Sequence, residues 1–146
     1  MVTIRQLRVS DLVGVQRCNA ANLPENYAHR FYAAVAFQPT GLSFVACDQR
    51  GSVVGYVLGR MDGETAYVVS IAVGREWRGV GLAQQLLVLC ERGGLQRGAK
   101  DMRLNVRVSN EAALCLYRKH GYGVLETERA YYSDKEASYV MQKVFS

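Results

Sequence analysis

Apolar and polar residues change period several times along this chain, and each change marks an element. Val2 to Leu7 reads as a first strand. Ser10-Asp11 is a helix N-cap signal, with a helix running to about Ala21. Leu23-Pro24-Glu25 breaks it, and Tyr27, Phe31 and Ala34 recur at helical spacing in a second helix. Pro39-Thr40-Gly41 is a loop. Three strand-like runs follow: Leu42 to Cys47, Val53 to Met61 and Thr65 to Val73. The short turns between them, Asp48 to Gly51 and Met61 to Glu64, predict an antiparallel meander.

The period then lengthens. Val80, Ala83, Leu87 and Cys90 recur at three and four, which predicts an amphipathic helix from Gly79 to about Arg92, ended by Gly93-Gly94. Met102, Leu104, Val106 and Val108 alternate as a strand. Asn110 caps a further helix with Ala113, Leu116, Tyr117 and His120 on one face, and Gly121 closes it. Strands near Tyr122 to Thr127 and Ala137 to Val144 complete the order β-α-α-β-β-β-α-β-α-β-β. The expected fold is mixed α/β: one domain over residues 1–146, around one central, mostly antiparallel sheet.

Composition narrows the classes. A 146-residue chain buries roughly 70% of its unfolded surface, enough for a real core. A net charge of +5 favours anionic partners, either a phosphate-rich cofactor or nucleic acid. No arginine-rich helix or stacking motif supports the second. Cys18, Cys47, Cys90 and Cys115 form no C-x-x-C pair and have no histidine cluster near them, so no metal site is expected. Buried, inert thiols, no signal peptide and no long apolar run predict a cytoplasmic protein without a membrane span.

The chemistry concentrates after the third meander strand. Ser70-Ile71-Ala72-Val73 runs into Arg75-Glu76-Trp77-Arg78-Gly79-Val80-Gly81-Leu82-Ala83, where a helix opens. A helix N-terminus presents unpaired N–H groups and about half a positive charge, which suits a phosphate. Gly79 and Gly81 let the backbone approach closely, and Arg75 and Arg78 add donors. The glycines match neither a P-loop nor a dinucleotide fingerprint. They match R-x-x-G-x-[GA] as Arg78 to Ala83.

With these residues in this order, the chain resembles the GNAT acetyltransferase superfamily over essentially its whole length. The nearest subgroup is the NatA-type catalytic subunit of the N-terminal acetyltransferases, with its archaeal relatives. The supporting runs are Leu23 to Tyr27, Gly55 to Leu58, Ser70 to Val73, Arg78 to Ala83, Val106 to Asn110, Ala113 to Tyr117 and the pair Tyr131-Tyr132. The resemblance implies the GNAT fold and acetyl-CoA as co-substrate. It implies that the backbone of Ile71, Ala72 and Val73 pairs with the pantetheine arm as an added strand. Arg78, Gly79, Val80, Gly81, Leu82 and Ala83 would hold the pyrophosphate. Asn110 would contact the cofactor near the active centre, and Tyr117 would be the general acid beside the thioester. Leu23, Pro24, Glu25 and Tyr27, with Tyr131 and Tyr132, would line the peptide groove, with Arg60 beside it. Asn105 stands where a histidine is common in the family, and Tyr67 where NatA-type enzymes often carry one.

An α-amine has a pKa near 8 and is about one-tenth neutral at pH 7, whereas lysine, near 10.4, costs about 3 kcal/mol more to deprotonate. A site with modest bases (Glu25, Tyr67 or water) therefore suits an α-amine, transferred by direct attack. No cysteine or serine has an evident activating partner for a covalent intermediate. Protein N-termini are the expected substrates. The alternatives left open are a dedicated ribosomal-protein enzyme, a lysine or small-amine acetyltransferase, or a non-catalytic CoA-binding module. An auxiliary subunit and weak, salt-sensitive ribosome association are also compatible with the sequence.

Overall fold

The computed structural model describes residues 1–22, 41–129 and 136–146. The predicted second helix and the expected groove residues Leu23, Pro24, Glu25, Tyr27, Tyr131 and Tyr132 lie outside the described residues.

Strand β1 (Thr3–Gln6) is followed by a 3-10 turn (Val9–Asp11) and helix α1 (Leu12–Asn22). Asp11 does not cap the helix from in front. Its carboxylate reaches back to accept the Arg8 N–H at 2.7 Å and is gripped at 2.8 Å by both guanidinium nitrogens of Arg5. An arginine fork on β1 offers stronger, charge-assisted bonds than a solvent-facing cap would.

The meander forms as expected. It comprises β2 (Phe44–Cys47), β3 (Val53–Asp62) and β4 (Thr65–Val73), joined antiparallel. After a 3-10 turn at Arg75–Trp77 come α2 (Leu82–Gln96), β5 (Asp101–Arg107), α3 (Glu111–Lys119), β6 (Gly123–Glu128) and β7 (Ser138–Val144). The seven strands make one mixed sheet in the order β1-β2-β3-β4-β5-β7-β6. Among the pairings, β4 with β5 is parallel and the others are antiparallel.

Two cores sandwich the sheet. Leu12, Val15 and Cys18 of α1 meet Val45, Tyr56, Leu58 and Ala72 on one face. On the other, α2 and α3 bring Leu86, Leu87, Cys90, Leu114 and Tyr117 against Val57, Ala66, Val68, Leu104 and Met141. Cys115 departs from the expectation of buried thiols, because it lies on the outer side of α3 and is exposed.

Gly93-Gly94 does not end α2, which continues to Gln96. A Cβ at Gly93 would stand 2.8 Å from the Gly41 carbonyl carbon and 3.2 Å from Leu42 Cα. The pair therefore serves close helix-to-sheet approach. The left-handed residue that follows the helix is Gly98, at φ 85°.

Candidate functional site

The parallel pairing of β4 with β5 runs from Thr65↔Asp101 to Val68↔Leu104 and stops there, while β4 continues to Val73 and β5 to Arg107. The two central strands therefore part. A bulge marks the point of parting: β3 pairs Leu58 with Ser70 but Gly59 with Val68, leaving Val69 as the extra residue. Bulges bend a strand and raise its twist. This one also switches faces. Ala66 and Val68 belong to the α2-side core, Val69 and Ala72 pack on the α1 side, and Ile71 and Val73 return to the α2 side. Beyond the bulge, no described strand pairs with the second edge of Val69 to Val73. That edge can accept an extended group with amides of its own.

β4 leads directly into the glycine loop. Gly79 and Gly81 have φ of 84° and 79°, a conformation that side chains with a Cβ rarely adopt. Gly81 is the N-cap of α2, and the first intrahelical bond runs from Gln85 N–H to its carbonyl at 3.1 Å. The N–H groups of Leu82, Ala83 and Gln84 thus lack helical partners. Arg78 folds back so that its Nε donates to the Val73 carbonyl at 3.0 Å, which joins the loop to the end of β4. Val73, Trp77, Arg78, Gly79 and Gly81, with Leu116 of α3, line a cavity of about 200 Å³. Leu82, Ala83 and Gln84, the first residues of α2, line it too.

α3 supplies the other wall. The Asn110 side chain accepts from the Ala113 N–H at 3.2 Å, so it caps the helix as its position predicts. The Asn110 amide nitrogen is not used by this cap. Tyr117 is buried, and burial holds its phenol well above the usual tyrosine range, so it is a neutral hydroxyl at physiological pH. Its ring stands edge-on to Tyr122, with centroids 5.9 Å apart. No described residue accepts from its hydroxyl.

Tyr67 and Arg60 pair across β3 and β4, with the guanidinium 4.5 Å from the ring centroid. Tyr67 alternates with Ala66 and Val68, and so faces the α1 side, opposite Tyr117. Tyr67 and Tyr117 thus stand on opposite faces of the sheet. Arg103 is the β5 partner of Tyr67, and Asn105, one residue past the last β4 pairing, faces the same way.

Sequence reasoning gave no structural role to Asn105 and passed over Glu91. Asn105 donates to Ser138 Oγ at 2.9 Å and to Glu128 Oε2 at 3.5 Å, tying β5 to β7 and β6. Glu91, on the buried side of α2, accepts from the Tyr122 hydroxyl at 2.6 Å and from Lys143 Nζ at 3.2 Å. A carboxylate next to Cys90 on an apolar face was the available signal. Its partners, 31 and 52 positions away, could not be read from it.

Among the described residues no group of His, Cys, Asp and Glu is placed to hold a metal, and no helix is long and apolar enough to cross a membrane.

Comparison with known proteins agrees with this architecture. Residues 7–122 match the model of the acetyltransferase (GNAT) family. The catalytic subunit ard1 of the N-terminal acetyltransferase A complex of Schizosaccharomyces pombe is 44% identical over 98% of this chain and 85% of its own length. The N-alpha-acetyltransferase daf-31 of Caenorhabditis elegans is 38% identical over 97% and 82%. The crystal structure of Ard1 from Thermoplasma volcanium matches at a TM-score of 0.92 and 25% identity, covering 99% of this chain and 98% of that one. The parted strands, the glycine loop and the similarity along the chain have one common account: this protein belongs to the GNAT family of acetyltransferases.

Proposed function

We propose that the chain, acting as a single catalytic domain over residues 1–146, transfers acetyl from acetyl-CoA to the N-terminal α-amine of proteins or peptides. The observation that carries this reading is the parting of β4 and β5, with a glycine loop opening a helix at the end of β4. The pantetheine arm lies along Ile71, Ala72 and Val73 as an added strand, its amides using the open edge. The pyrophosphate rests on the N–H groups of the Arg78 to Ala83 loop, where the helix dipole favours negative charge. Asn110 offers its amide nitrogen to the cofactor while its oxygen keeps the cap.

The amine nitrogen attacks the thioester carbonyl carbon, the C–S bond breaks, and the departing thiolate takes the Tyr117 proton. Ordinary thiol and tyrosine values, near 8.5 and 10, are close. Burial moves the Tyr117 phenol above its range, so it stays protonated but gives up its proton less readily, and the transfer relies on its position beside the thiolate. A neutral, buried phenol is in the protonated form that an acid needs. The amine arrives from the Tyr67 and Arg60 face and loses its extra proton to Glu25, Tyr67 or water. Leu23, Pro24, Glu25, Tyr27, Tyr131 and Tyr132 complete the peptide groove in this reading.

The free thiols Cys18, Cys47, Cys90 and Cys115 fit a reducing compartment, the cytoplasm. The fission-yeast relative is named as a catalytic subunit of a complex, which supports an auxiliary subunit here. The net charge of +5 supports weak, salt-sensitive ribosome contact.

The test is acetyl transfer to peptides beginning with Ser, Ala, Met or Glu, read by intact mass. Turnover on Ser and Ala starts is expected, with kcat of Tyr117→Phe reduced by about a hundredfold. CoA binding without an acetylated α-amine on any peptide would overturn the substrate assignment.

A further inference from the structure

We propose that the Tyr122–Glu91–Lys143 chain, buried at its tyrosine and its carboxylate, positions Tyr117, so that departure of the thiol depends on a carboxylate that never touches substrate. This rests on the reading of Tyr117 as general acid.

Glu91 and Tyr122 are both more than nine-tenths buried. Taking the Glu91 carboxylate out of water costs several kcal/mol, and its attraction to the part-exposed Lys143 ammonium repays that only where the geometry is good. Stability alone is therefore a poor reason for this group to sit in the α2-side core. A defined position for the atoms around it is a better one. The Tyr122 hydroxyl donates to Glu91 Oε2 at 2.6 Å, a short charge-assisted bond. Lys143 Nζ reaches the same carboxylate at 3.2 and 3.4 Å and lies 5.9 Å from the Tyr122 ring centroid. Three elements, α2, the α3–β6 corner and β7, are thereby locked to one ring.

That ring controls Tyr117 in two ways. The Tyr122 N–H donates to the Tyr117 carbonyl at 3.0 Å, closing the end of α3. The two rings meet edge to face at 63°. Tyr122 packs directly on the Tyr117 ring, and the orientation of that ring sets where its hydroxyl points. Glu91 also sits on the helix whose N-terminus carries the glycine loop. The same carboxylate thus ties the acid to the element that holds the anion, and fixes their separation.

The test is a double-mutant cycle on the full chain, assayed well below the melting midpoint of each variant. Tyr122→Phe keeps the ring and removes its anchor. It is expected to lower kcat by about tenfold, since small misplacements of a reacting group are costly, while both KM values stay within about twofold. In a Tyr117→Phe background the same change should alter kcat by less than about twofold, because the two residues act as a unit. Glu91→Leu combined with Tyr122→Phe removes the buried carboxylate and hydroxyl together, sparing the fold an unpaired buried charge, and should show the same loss and the same coupling. An unchanged kcat in these variants, with Tyr117→Phe still impaired, overturns the positioning role and leaves the acid reading standing. Equal losses in both backgrounds also overturn it, since the effect then bypasses Tyr117. A fully active Tyr117→Phe enzyme removes the acid reading itself.

Discussion

Gly93→Ala sets helix propensity against packing, and the structure decides the sign. Residue 93 lies inside α2, three residues before its last residue, Gln96. There, propensity alone predicts that alanine stabilises by about 1 kcal/mol. The added Cβ would, however, stand 2.8 Å from the Gly41 carbonyl carbon, 3.2 Å from Leu42 Cα and closer still to the Gly41 oxygen. All three are backbone atoms, and Leu42 is fully buried, so no side chain can swing aside. The helix or the start of the meander must shift, and overpacking of this kind costs about 3 kcal/mol. The net expectation is a loss of about 2 kcal/mol, or a fall in Tm of about 7 °C for a chain of this size. Urea denaturation followed by circular dichroism measures it, with the m-value checking that two-state behaviour survives. Because α2 carries the glycine loop, the KM for acetyl-CoA should rise in the same variant. A Gly93→Ala protein as stable as the parent would refute the close-approach argument and return Gly93 to a simple helix-end role.

Gly81→Ala tests the loop without a clash, since nothing lies within 4 Å of the added Cβ. The left-handed backbone alone should cost about 1–2 kcal/mol, and the KM for acetyl-CoA should rise with little change in kcat. An unaltered KM would argue against anion binding at this turn. At the opposite end of the chain, Arg5 holds the Asp11 carboxyl below the usual carboxylate range. A carboxyl whose folded pKa is lowered contributes stability that is fully present above its unfolded value and is lost as pH falls through the folded one. The stability gap between the parent and Asp11→Asn should therefore be full at pH 7 and shrink below about pH 4. A gap that stays constant from pH 7 to pH 2 would show that the Arg5 bonds do not need the charge.

Local signals along this chain were sufficient for its described strands and longer helices. Alternation located β5, three-and-four spacing located α2, and Asn110 caps α3 as its position before an apolar stripe demands, because a strand's period, a helix's period and a cap bond are set within a few residues. The glycine loop was legible for the same reason: Gly79 and Gly81 do their work on their own backbone. What only the tertiary structure decided is what lies across from each residue. Gly93 looked like a helix end until Gly41 was placed beside it. Asp11 looked like a cap until Arg5 came within 2.8 Å. The bulge at Val69 and the parting of β4 from β5 arise from pairing between strands, and no period along one strand encodes them. Glu91, Tyr122 and Lys143 are joined from three separate elements. A hydrogen bond across such a separation depends on how helices and strands pack, so the anchor beside Tyr117 exists only once the sheet and its helices have come together.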